Sequence, residues 1–224
     1  MTTTAPPVGF RPDPALYPFT SNWFESSVGP IHHLDEGSGR PLLLLHGNPD
    51  WSFLYRRMIP LLSGDFRCIV PDYPGFGLSP HPEGYRHRPA DHAAVVGELV
   101  EHLDLRDAVL VAADWGGPIG MEVASRDPDR FSGLVLGNTM FFPALTMQRL
   151  FGAVMGTRPM QRLVLRHGIF VRPIMESLLQ VDLSEEELAH YVDVAPTAEA
   201  RQGQAVFVKS INGERLWLAD LERR

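Results

Sequence analysis

The chain has 224 residues, 44% of them hydrophobic, and a formal net charge of −7. That length buries one good core and a small appendage, no apolar run reaches the length of a membrane span, and the acidic balance argues against a nucleic-acid partner. All but one of the 20 basic residues are arginine. They are scattered, with Arg56-Arg57 and Arg223-Arg224 as the only adjacent pairs, so no basic stripe tracks a phosphate backbone. The single cysteine excludes an internal disulfide framework, and the apolar run Cys68-Ile69-Val70 that holds it suits a buried, inert thiol. Nine histidines raise a metal hypothesis that their spacing rejects, because none stands four residues from another and His32-His33 on a strand face opposite ways. Neither a metal nor a cofactor is expected. Residues 1–7 lack a basic region followed by an apolar stretch, so they read as a disordered tail, and a cytoplasmic protein fits best.

Residues 1–20 read as an N-terminal tail, and residues 21–140 as a core of six strands with helices between them. The first two strands, residues 22–27 and 31–35, join through Val28-Gly29-Pro30 as a hairpin. The third, Pro41-Leu42-Leu43-Leu44-Leu45-His46-Gly47, is a continuous buried run ending in a turn, and an aromatic-rich helix is predicted over residues 51–62. Arg67-Cys68-Ile69-Val70-Pro71-Asp72 is a strand, followed by the tight loop Tyr73-Pro74-Gly75-Phe76-Gly77-Leu78-Ser79-Pro80. A helix over residues 91–103 places Val95, Leu99 and Leu103 on one stripe. A fifth strand then leads to Asp114, a helix runs to Arg126, and a sixth strand covers residues 131–140. This alternation predicts an α/β fold with a mostly parallel sheet and flanking helices.

After Met140 the alternation stops. Residues 141–216 carry mostly helical patterns, including residues 147–155 and a capping box of Ser184 with Glu187, and residues 217–224 begin a return to the core. A helical insertion there sits over the carboxyl edge of the sheet, where ligands bind in α/β folds. Phe141, Phe142, Phe151, Met155 and Phe170, with Met175 and Phe207, would line a dry pocket over Asp114; equally, each could simply pack the helical cap onto the core.

The fifth strand breaks sharply in Val109-Leu110-Val111-Ala112-Ala113-Asp114-Trp115-Gly116-Gly117-Pro118-Ile119-Gly120. The pattern has the form of a nucleophile elbow, with Ala112 in place of the first glycine and Asp114 in place of the serine. An aspartate is ionised at neutral pH and needs no base to act as a nucleophile. A carboxylate attacks amides poorly but displaces a leaving group from saturated carbon, forming an ester, so substrates carrying a halide or a strained epoxide oxygen are implied. The rival reading is that Asp114 merely caps the following helix.

The third strand should lie beside the Asp114 strand, which brings His46-Gly47-Asn48-Pro49-Asp50-Trp51 to the nucleophile. The backbone N–H groups of Asn48 and Trp115 are the natural oxyanion donors. Their side chains add an amide and an indole N–H, two uncharged donors that could hold a departing halide without trapping it. Alone, Asn48 would read as a turn residue before proline.

At these residues the chain resembles the haloalkane dehalogenases of the α/β-hydrolase superfamily. The resemblance runs from about Phe10 to the last residue, on His46-Gly47-Asn48-Pro49, on Asp72 with Gly75-Phe76-Gly77-Leu78-Ser79, and on Asp114-Trp115-Gly116-Gly117-Pro118-Ile119-Gly120. It implies that Asp114 is the nucleophile, that Asn48 and Trp115 bind the halide, and that the partners are a small apolar halogenated substrate, water and the halide product. Related epoxide hydrolases share Asp-Trp-Gly-Gly but usually carry an aromatic residue where Asn48 stands, and they use cap tyrosines, of which this cap holds only Tyr191. In the family a histidine follows the last strand, with its acid after the sixth or the seventh. Asn138 occupies the sixth-strand position, so the chain resembles the branch whose acid comes later.

The chain is therefore expected to lack the last two strands, with the base and acid they carry. Such a chain would fold poorly, would alkylate Asp114 and stall, or would be a non-catalytic relic, since losing a general base costs about 10²–10⁴-fold. The open edge of the sixth strand also predicts self-association.

Overall fold

The run Leu42-Leu43-Leu44-Leu45, buried on both faces, becomes the interior of a sheet because helices cover both of its sides. In the computed structural model, which describes residues 9–140, 142–178 and 182–224, β1 (Asn22–Ser26), β2 (Gly29–Gly37), β3 (Arg40–Leu45), β4 (Phe66–Pro71), β5 (Ala108–Asp114) and β6 (Phe131–Thr139) form one sheet in the order β1-β2-β4-β3-β5-β6. β1 and β2 form the expected antiparallel hairpin, and β2 runs antiparallel to β4. The β4-β3-β5-β6 block is parallel. Leu42 lies opposite Val109 and Leu45 opposite Ala112, which brings the end of β3 level with the end of β5.

Three helices belong to this part of the chain: α1 (Ile59–Leu62), α2 (Pro89–His102) and α3 (Gly116–Arg126). The continuous helix expected over residues 51–62 does not form. A 3-10 turn, Ser52–Tyr55, is followed by the four-residue α1. Pro60 explains the break: it has no N–H to donate and its ring would clash with a carbonyl one turn back, so a helix can restart there but not run through. The turn also lets Trp51, Phe53 and Tyr55 all go inward, with the Trp51 and Phe53 rings stacked 5.4 Å apart.

Beyond Thr139 the described chain is helical, with α4 (Thr146–Met155), α5 (Arg158–His167), α6 (Val171–Leu178), α7 (Glu185–Val192), α8 (Gln202–Gly213) and α9 (Arg215–Leu221). The Ser184 capping box is present: its hydroxyl accepts from the Glu187 N–H at 3.2 Å, and the Glu187 carboxylate accepts from the Ser184 N–H at 3.1 Å. α9 returns to the sheet layer, where the Trp217 indole donates to Glu122 of α3 at 2.9 Å.

One apolar cluster joins α2, α3 and a face of the sheet, a second covers the other face, and a small third lies within the helical segment. Residues 1–8 of the expected tail lie outside the described residues. Its remainder is not free: Tyr17 is buried, its hydroxyl 2.5 Å from that of Ser52, and Phe10 packs edge-on to Trp51. Aromatic side chains bury enough apolar area to hold this segment down. Cys68 is buried. Among the described residues no helix is long and apolar enough to cross a membrane.

Candidate active site

Two neighbouring parallel strands that end within two residues of each other, each with a glycine at the second position beyond its end, create the close approach on which the site is built. Asp114, the last residue of β5, has φ +49°, a left-handed conformation that an L side chain adopts at a cost. Gly116 follows because a Cβ there would strike the Leu45 carbonyl, and Gly47 because a Cβ there would strike the Asp114 side chain. Trp115, not Asp114, stands at the N-cap of α3, and no side chain caps that helix. The elbow geometry is thus present, and the helix-cap reading of Asp114 is not.

The Asp114 carboxylate accepts the Asn48 backbone N–H at 2.7 Å through Oδ1, and the Trp115 backbone N–H also donates to it. Protein packed around the carboxylate raises its pKa, and these two amides pull it partly back. The outer side of the residue is exposed, beside the edge strand β6. Thr139 of β6 donates its hydroxyl to the Asp114 carbonyl at 2.5 Å, tying the elbow to that strand.

The Asn48 side chain donates to the Gln204 carbonyl of α8 at 3.2 Å, and among the described residues its second amide hydrogen is uncommitted and its Oδ1 is buried without a partner. The Asn48-Pro49 peptide is cis. Trp115 is buried against Phe207, with ring centroids 5.7 Å apart, and among the described residues its indole N–H has no acceptor. The two proposed halide donors therefore belong to segments that both contact the Asp114 carboxylate.

Behind them lies a fully buried anchor. Asp72 accepts from the Ser52 N–H at 2.6 Å and the Leu78 N–H at 2.9 Å, and its other contact is His32 Nδ1 at 2.8 Å. Burial alone would raise the Asp72 pKa; the bonds to His32 and Leu78 and the nearby histidines outweigh it and hold the carboxyl below its ordinary value. The motif residues Gly75 to Ser79 thus fix loops around the site, and among the described residues none of them hydrogen-bonds Asp114. His46 is also fully buried, and burial pushes its pKa down to about 4.

The predicted pocket side chains are not brought together. Phe141 lies outside the described residues, Phe142 is half-buried, and Phe151 is 42% exposed. Met155 and Phe170 pack into the third cluster with Val164, Ala205 and Val208, and Met175 joins the second. Of the aromatic and methionine residues named from the helical segment, Phe207 is the one packed on Trp115. A cavity of about 250 Å³ opens elsewhere, lined by Asp50, Trp51, Phe76, Ser79, His81 and Gln204 among others. It is more polar than the expected dry pocket, because the loop after β3 turns Asp50 toward it. Asp50 was passed over in the sequence although it is an acid set in an otherwise apolar and aromatic loop, two residues from Asn48. Among the described residues no cluster of histidine, cysteine and carboxylate side chains could hold a metal ion.

A family model described as the alpha/beta hydrolase fold matches residues 40–163. Haloalkane dehalogenase 2 of Mycobacterium tuberculosis is 48% identical over 217 residues, covering 96% of this chain and 76% of the relative. A cis-3-alkyl-4-alkyloxetan-2-one decarboxylase of Shewanella oneidensis is 38% identical over 130 residues, 57% of this chain and 41% of that protein. The crystal structure of haloalkane dehalogenase DbeA from Bradyrhizobium elkani superposes with a TM-score of 0.82 at 25% identity, covering 91% of this chain and 74% of that one. The α/β-hydrolase architecture, the carboxylate at the elbow and a relative of this identity over nearly the whole chain lead to one conclusion: the chain belongs to the haloalkane dehalogenase family of α/β hydrolases.

Proposed function

We propose that this hydrolase cleaves carbon–halogen bonds of small haloalkanes by displacement at Asp114, giving an aspartyl-alkyl ester and free halide, with alcohol as the final product. The observation that carries the reading is the carboxylate held at a left-handed elbow by the Asn48 and Trp115 amides. Holding the carboxylate in one orientation sets an oxygen to approach carbon opposite the leaving group, and positioning of this kind lowers the barrier by pre-ordering the attack. The departing halide is received by the free indole N–H of Trp115 and the uncommitted amide hydrogen of Asn48. The helical segment from residue 142 acts as a cap over this exit, with Phe207 as its contact on Trp115.

Tyr191 bears on the epoxide alternative. It is buried and accepts a hydrogen bond from Arg56 at 3.1 Å, so its hydroxyl is engaged away from Asp114, which favours halide over epoxide as the leaving group.

Exposure of the purified chain to 1-bromobutane tests the reading. Bromide release with a butyl group on Asp114 is expected, and Asp114→Asn is expected to abolish both. Diol formation from styrene oxide without bromide release from bromoalkanes would contradict it.

A further inference from the structure

α4 and α5 both pack on one face of α8. The Asn212 amide donates to the Arg149 carbonyl at 2.9 Å, and the Gln161 amide donates to the Ala205 carbonyl at 3.1 Å and to the Met155 carbonyl at 2.9 Å. α8 turns its opposite face inward, where Phe207 meets Phe76 and Trp115, so α4 and α5 lie outside it. Their outer sides carry two stripes that the displacement does not use. On α4, Gly152 and Met155 go inward, while Met147, Leu150, Phe151 and Val154, spaced i, i+3, i+4 and i+7, are between 42% and 75% exposed. On α5, Val164 is buried, and Arg158, Arg162 and Arg166, spaced by four, are exposed on the other side. Among the described residues none of these three arginines has an acidic partner, whereas Arg172 pairs with Glu176 and Glu185. Charge is segregated as well: residues 131–175 hold five arginines and no carboxylate, in a chain whose formal net charge is −7.

An exposed apolar patch beside charge of one sign marks an interaction surface. Its partner must take in apolar side chains while presenting negative charge. An anionic lipid surface does both, because apolar side chains enter the boundary between headgroups and acyl chains while guanidinium groups meet the phosphates. A nucleic acid offers the charge without the apolar layer, and a folded acidic protein would need a groove matched to both stripes. We propose that α4 and α5 dock this protein on the surface of an anionic phospholipid bilayer, with the Met147, Leu150, Phe151 and Val154 stripe in the headgroup boundary and Arg158, Arg162 and Arg166 on the phosphates. Small haloalkanes dissolve in the apolar interior of such a bilayer, which would deliver substrate to the cap side of the molecule. That consequence rests on the displacement proposed above, whereas the docking does not.

Flotation of the full chain with vesicles of phosphatidylcholine alone, or of phosphatidylcholine mixed with phosphatidylglycerol, tests this. One variant carries Arg158→Gln, Arg162→Gln and Arg166→Gln, a second carries Met147→Gln and Leu150→Gln, and a control removes three arginines elsewhere, with Arg11→Gln, Arg106→Gln and Arg223→Gln. All these side chains are exposed, so the variants are expected to fold like the wild-type chain, which circular dichroism checks. The wild-type chain is expected to float with the anionic vesicles and not with the neutral ones, and to release as salt rises from about 0.1 M to about 1 M and screening shortens. Each of the two surface variants is expected to bind at least about tenfold more weakly, and the control to bind as the wild type does. No binding to anionic vesicles, equal binding to neutral ones, or wild-type binding by either surface variant would overturn the proposal, as would a loss in the control as large as in the arginine variant. Self-association that both surface variants abolish, in a chain that does not bind vesicles, would overturn it and assign these helices to a protein partner.

Discussion

Asp114 is held by backbone groups, and backbone donors survive most side-chain substitutions. The Trp115 side chain can therefore be changed while the Trp115 amide goes on gripping the carboxylate. Trp115→Phe keeps an aromatic ring against Phe207 and removes only the indole N–H, so bromide release from 1-bromobutane is expected to fall about 10²–10³-fold, as when an oxyanion donor is lost. A fall of less than threefold would remove Trp115 from the halide site. Residue types carried this part of the site in the sequence, because an acid between small residues after a β-branched strand, and an asparagine after His-Gly, announce themselves locally. The raised carboxyl of Asp50 was not legible in this way, since burial and the charge of Asp114 act on it only once the chain is folded. Met155 and Phe170 pack within the helical segment and Phe151 is 42% exposed, because apolar composition fixes neither which neighbour a side chain packs against nor that it is buried.

The elements were legible where a period or a breaker decided them. The strands β3, β4 and β5 each hold a continuous apolar run, and the capping box of α7 follows from Ser184 and Glu187 alone; the helix over residues 51–62 failed because Pro60 outweighed its aromatic pattern. α7 also carries a buried ion pair. The Glu187 carboxylate lies 2.6 Å from both Arg56 and Arg57, and the Arg56 guanidinium sits over the Phe53 ring. Burial would raise the Glu187 pKa, but the arginines and the Ser184 N–H lower it to about 2. A carboxyl depressed on folding stabilises the folded chain fully above its unfolded value near 4.5 and loses that contribution as pH falls toward 2. Chemical denaturation at a series of pH values is expected to show a loss between pH 4.5 and 2 that is smaller in Glu187→Gln; equal acid dependence in both would contradict it. Ser184→Ala, which removes one cap acceptor, is expected to lower stability by about 1 kcal/mol in a thermal or denaturant melt.

At the scale of the molecule, the sheet is asymmetric. Its β1 side ends in a short hairpin strand, while on the other side β6, among the described residues, pairs with β5 alone and exposes Leu134 by 48% and Val135 by 56%. Unpaired backbone groups beside exposed apolar side chains are a template for another strand. Concentration-dependent self-association is expected in sedimentation velocity, and Leu134→Lys with Val135→Lys is expected to suppress it; a monomer at every concentration would contradict this. The same asymmetry leaves the outer side of Asp114 accessible, so the proposed nucleophile can be interrogated directly. The most direct measurement is acid-quenched peptide mapping at the first turnover with 1-bromobutane. The account predicts a butyl ester on Asp114 in the same amount as the bromide released. Bromide released with Asp114 unmodified, or an adduct on another residue, would contradict it.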